Sequence, residues 1–206
     1  SFENLVIAEK GISVSNVVNG TTRLQPCVLL TGQAAGTLAA ISARDNAPLQ
    51  AIPVRAVQQQ LLNVGAYLMP YIDVLPADPF FQAIQKVGAT GILKGKGIPY
   101  KWANQTWFYP EQPLSQFDLV KGIQPYYPVL DNYLDASGEM LTLKSLLTIF
   151  EAAGVKLSQE KVKEDWPQQG GSLDEGKALS RKAIAWLIDK YLQPFERPVN
   201  MKGALL

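Results

Sequence analysis

A chain of 206 residues with 47% hydrophobic side chains has material for one large or two small buried cores, and its net charge of +1 carries no basic run. That balance excludes nucleic acid as a partner, because binding a phosphate backbone needs clustered Lys and Arg to displace counterions. The absence of histidine removes Ser-His-Asp and Cys-His catalysis and the commonest zinc ligand, and a lone cysteine, Cys27, forbids an internal disulfide.

Asn4 to Ala8 reads as a short strand. Cys27, between Pro26 and Val28-Leu29-Leu30, reads as a packing residue. The apolar region from Cys27 to Ala43 is interrupted by Thr31, Gly32, Gln33, Gly36 and Thr37, so no membrane span is expected. Thr31-Gly32-Gln33-Ala34-Ala35-Gly36 places small residues at the expected start of a helix, Gly32 to Arg44. Bare N–H groups at such a terminus favour negative charge or an electron-rich oxygen. Pro53 then opens a helix that Gly65 closes, with Val54, Val57, Leu61 and Leu62 on one face. An extended stretch from Tyr67 to Val74 follows, and the domain boundary is set near Met69, giving units 1–68 and 69–206.

In the second unit Asp78 and Pro79 open a helix whose buried face is Phe80, Phe81, Ile84 and Val87, stopped at Gly88. The glycines from Gly88 to Gly97 have the wrong spacing for a dinucleotide turn, and Gly97 stands where a P-loop needs Ser or Thr, so they read as turns and caps. Trp102, Trp107 and Tyr109 lie in an aromatic loop and could stack on sugar rings, although large aromatics more often close a small core. Ser115 caps the next helix, with Asp118 placed for a capping box. The same opening recurs at Leu141-Thr142 and Leu179-Ser180, followed by stripes Leu143, Leu146, Leu147, Phe150 and Ile184, Leu187, Ile188, Tyr191. Asp131 to Glu139 fails as a calcium loop, because alignment on Gly138 puts Tyr133 and Lys144 where carboxylates are needed, and no metal site is expected. Gln159 to Asp165 reads as a solvated helix face, and 168–172 as a loop. The expected fold class is mainly α, a short strand plus helices followed by a helical domain with imperfect repeats.

Asn4-Leu-Val-Ile-Ala8, Ile12-Ser-Val-Ser15, Asn19-Gly-Thr-Thr-Arg23 and Gly32-Gln-Ala-Ala-Gly36 together resemble the Bacteroides-type FAD-dependent oxidoreductase family over residues 3 to 65. The resemblance implies that Gly32, Gln33, Ala34 and Ala35 present a helix N-terminus to the pyrimidine edge of the isoalloxazine ring, with Ser15 and Arg23 also at the FAD site. It implies too that the chain is the C-terminal part of a longer flavoprotein, since no Gly-x-Gly-x-x-Gly turn occurs. The expected partner is then the N-terminal half of that protein, and this part alone is expected to hold FAD poorly and to be inactive. Residues 72 to 124, in the order helix, Gly-Ile-x-x-Gly, Phe-x-Pro, Leu-Ser, helix, resemble the S-layer homology unit. Where such units carry a basic residue for polymer binding this chain has Ser115-Gln116-Phe117-Asp118, while Arg181 follows the cap at Ser180. The second resemblance implies a competing role, a non-enzymatic module holding carbohydrate or envelope polymer, also as an accessory of a polysaccharide-degrading protein, in the periplasm or cell envelope.

Overall fold

The computed structural model describes residues 4–206 except 102, 134–137, 172, 175, 201 and the side chain of Gln169. The fold is mainly α, and the chain divides into two compact units, Ser1–Ala66 with Pro198–Leu206, and Tyr67–Arg197. The division falls two residues before the expected one, and the last nine residues group with the first unit.

Among the described residues of the first unit, three α-helices carry the fold. Helix α1, Asn16–Thr22, is capped by Ser15, whose Oγ accepts from the Val18 amide. Helix α2, Gln25–Asp45, opens with a proline in its first turn and stops at Asn46 in the left-handed conformation. Helix α3, Val54–Asn63, follows Pro53, and Gly65 at φ +77° turns the chain out of it. Residues 4–8 form no strand, contrary to the expectation, because among the described residues the only ladder lies in the other unit and nothing here pairs with them. Burial is sparse: Val28, Ile41, Ile52, Leu62 and Val199 are the buried apolar residues described in this unit. Leu5, Ile7, Val17, Val18, Leu24, Leu29, Leu30 and Val64 are exposed.

The second unit has a dense core. Asp78 Oδ1 accepts from the Phe80 amide and leads into helix α4, Phe81–Ala89, which buries Phe81, Ile84 and Val87 with Phe80 just before it. Strands β1, Lys96–Tyr100, and β2, Ala103–Trp107, form an antiparallel hairpin in the register Lys96 with Trp107 to Tyr100 with Ala103. Helix α5, Gln116–Ile123, packs on the turn before the hairpin, where a Cβ on Gly122 would collide with the Ile92 carbonyl oxygen. Helices α6, Leu143–Ala152, α7, Gln159–Asp165, and α8, Arg181–Leu187, complete the unit, and α8 runs into a π-helical turn, Ile188–Leu192.

The three similar helix openings are capped: Ser115 Oγ accepts from the Asp118 amide, Thr142 and Ser145 form a capping box, and Ser180 accepts from the Ala183 amide. The capping box expected at Ser115 does not form, because Asp118 accepts from the Ser115 hydroxyl instead of its backbone amide. They are also tied to one another. The Leu141 amide donates to the Leu114 carbonyl and the Leu179 amide to the Leu141 carbonyl, while the Arg181 amide closes the triangle on the Gln112 carbonyl. Leu114, Leu141 and Leu179 are all buried at this junction. A pattern that is local in sequence thus becomes one three-way hub.

Candidate functional site

The expected cofactor contacts of the first unit sit at two places. Ser15 is exposed at the N-terminus of α1 and spends its hydroxyl on the cap, while Arg23 is exposed one residue before the Leu24 cap of α2. Gly32, Gln33, Ala34 and Ala35 are not at a helix N-terminus. They lie in the second and third turns of α2, where amides are spent on carbonyls four residues back, so they cannot present bare N–H groups. The true N-terminus is at Gln25, seven residues earlier; Pro26 has no N–H, and the Val28 amide already donates to the Leu24 carbonyl.

The small residues of α2 instead form an open surface. A shallow cavity of about 780 Å³ is lined by Ala35, Gly36, Ala39 and Ala43 together with Asn4, Val6 and residues 46–49. Nothing lies within 4 Å of a Cβ built on Gly32 or Gly36. The absence of side-chain bulk is therefore not explained by anything packed against these glycines in this unit. By length and composition α2 could also cross a membrane, because the Thr, Gly and Gln interruptions do not break the helix. Residues 4–66 do not by themselves fit a whole FAD: they contain no glycine-rich phosphate turn and, as described, no strand to carry one.

The second unit brings together Trp107 and Tyr109, whose rings stack with centroids 5.8 Å apart and 20° between planes; Trp102 lies outside the described residues. Tyr109 holds φ +58°, a left-handed conformation kept by Asp73, whose carboxylate accepts from the Phe108 amide at 2.8 Å and the Tyr109 amide at 2.6 Å. Arg181 grips the same loop from its carbonyl side. Its Nε donates to Phe108 O at 2.7 Å, an Nη to Lys94 O at 2.8 Å, and the guanidinium lies 4.7 Å over the Phe108 ring. Burial lowers the Arg181 pKa from its ordinary value without threatening its charge. Arg181, Lys94 and Lys121 share a cleft of about 520 Å³ with Asp118, and the Ser115 hydroxyl donates to that carboxylate. Asp73 carries no local signal in the sequence and Arg181 only that of a residue following a cap; their roles rest on bonds to residues 35 to 87 positions away. Among the described residues no cluster of His, Cys, Asp or Glu could hold a metal.

Residues 1–61 match the FAD dependent oxidoreductase family. That match covers α1, α2, most of α3 and the glycine-alanine surface just described, and gives this portion the likeness of a flavoprotein oxidoreductase segment, FAD being the cofactor of the family matched. The remainder of the chain lies outside the match. No curated protein and no solved structure matches the chain.

Proposed function

We propose that this chain supplies one wall of the cofactor site of an FAD-dependent oxidoreductase, the phosphate-gripping part of the nucleotide domain being contributed by residues beyond these 206. One observation carries the reading: the family match falls on a unit whose central helix, uncharged from Gln25 to Ala43, leaves Leu24, Leu29 and Leu30 exposed. Adjacent exposed leucines on an uncharged helix are the kind of surface that takes a partner. A nucleotide-binding lobe seated on the small-residue surface would bring a backbone close to α2, which glycine and alanine permit and larger side chains forbid. When bound, the flavin supplies hydride chemistry; the chain's own contribution is packing, shape and the exclusion of water. The test is the visible spectrum of the natural protein that contains this segment, with Leu29→Glu and Leu30→Glu introduced together. A yellow parent and a colourless, still folded double variant are expected; a colourless parent overturns the reading.

A second reading concerns Tyr67–Arg197, as a carbohydrate- or envelope-polymer-binding module acting in the periplasm or cell envelope. It is favoured by the stacked Trp107–Tyr109 pair and by a cleft of the same unit in which Lys94, Lys121 and Arg181 outnumber the Asp118 carboxylate, features suited to an acidic glycan. Retention on an acidic polysaccharide resin should be lost in Trp102→Ala with Trp107→Ala. Retention unchanged by that pair, or none in the unmodified protein, rejects it.

A further inference from the structure

An aromatic series runs through the second unit and is used by neither reading. Trp166 meets Trp186 edge-on with centroids 5.1 Å apart, and Trp186 meets Tyr191 edge-on at 6.1 Å. Phe80, 5.5 Å from Trp166, ends the series with a ring too hard to oxidise. Trp166 lines an open cleft of about 250 Å³ beside Glu111 and Lys182, and all three oxidisable rings are only half-buried. At the other end the Tyr191 hydroxyl donates to Asp165 Oδ2 at 3.0 Å. Lys161 lies 3.1 Å from the second oxygen of that carboxylate and keeps it ionised, able to accept a proton.

We propose that Trp166, Trp186 and Tyr191 form a relay that draws an oxidising equivalent from the Trp166 cleft and settles it on Tyr191, whose phenolic proton passes to Asp165. The co-reactant is a one-electron oxidant in solution, a free radical or an oxidising metal complex. It takes one electron from Trp166 and is reduced; Trp186 refills Trp166, and Tyr191 refills Trp186. Tyr191 thereby loses one electron along the ring series and one proton across its hydrogen bond. The products are the reduced oxidant, a neutral tyrosyl radical and a proton on Asp165, which solvent removes. Direction follows from the ends of the series: only Tyr191 has a base in place to take its proton as the electron leaves, and an oxidised phenol is acidic enough to protonate even a salt-bridged carboxylate. The contacts between rings make each transfer short, and the edge-on packing fixes their order.

Flash-generated tris(bipyridine)ruthenium(III), applied to the full chain with rapid-freeze electron paramagnetic resonance, tests this. The unmodified protein should give a tyrosyl signal that Tyr191→Phe converts to a tryptophanyl one. Trp186→Phe, which keeps an aromatic ring but removes the oxidisable indole, should lose most of the tyrosyl signal, while Tyr100→Phe, at an exposed tyrosine outside the series, should leave it unchanged. Circular dichroism and thermal midpoints close to those of the parent establish that the variants are folded. A tyrosyl signal of full yield in Trp186→Phe, or one that survives in Tyr191→Phe, overturns the relay.

Discussion

Gln85 is the one polar side chain described as fully buried, and it holds the chain's entry into the second unit. Its Oε1 accepts from the Leu68 and Met69 amides, both at 2.7 Å, and its Nε2 donates to the Met69 carbonyl at 3.1 Å. Leucine fits the volume but leaves two donors and one acceptor without partners. At about 1–3 kcal/mol for each buried group left unsatisfied, and allowing for partial hydration, Gln85→Leu should cost about 2–5 kcal/mol, read as a lower urea midpoint by tryptophan fluorescence. Tyr191 sets a pH dependence of opposite origin. Burial first, then the Asp165 carboxylate, raises its pKa above the ordinary tyrosine value, so the folded chain holds the phenolic proton more tightly than the unfolded chain. That stability is fully present below about pH 10 and fades as the pH rises beyond it, where the unfolded phenol ionises first. Tyr191→Phe should therefore flatten the alkaline fall in the denaturation midpoint, and an unchanged fall would mean that another group causes it.

At the scale of single elements, the two glycines with most to say differ in what surrounds them. Gly122 faces the Ile92 carbonyl, where a methyl group has no room, whereas Gly32 faces open space inside a helix. Gly122→Ala should destabilise the second unit through a backbone clash. Gly32→Ala should stabilise α2 by about 0.5–1 kcal/mol through helix propensity, yet weaken flavin retention in the natural protein if another backbone seats there. Thermal midpoints of the two variants, with the flavin content of the second, check both directions. The helix openings at Ser115, Thr142 and Ser180 were legible in sequence because a cap is a contact within four residues. The start of α2 was not: Val28-Leu29-Leu30 after a proline fits a strand end as well as a first helical turn, and periodicity cannot separate them over so short a run. Placing the start too late put Gly32 to Ala35 at a terminus they do not occupy. The Asp73 and Arg181 grips were hidden for a different reason, since side-chain bonds spanning 35 to 87 residues leave no local pattern.

Across the whole molecule the imbalance between the units decides where stability resides. Of the buried apolar residues described, five belong to the first unit and the rest to Tyr67–Arg197, where they include eleven of the twelve largest fully buried side chains, with Leu62 of α3 the exception. Since burial of apolar area is the main stabilising term, local opening should begin in the first unit while the second stays closed. Amide hydrogens of α2 and α3 should exchange well before those of α4, α5, α6 and α8. Trypsin should cut first at Arg23, Arg44 or Arg55, leaving a resistant product that contains residues 67–197. The proposed nucleotide lobe adds a sharper condition. Covering Leu29 and Leu30 would place α2 inside a core, so if that lobe belongs to the natural protein the same helix should exchange slowly there and Arg44 should resist trypsin. Equal exchange of α2 with and without the remainder of that protein would show that nothing packs on it, and the flavin-site reading would lose its physical basis.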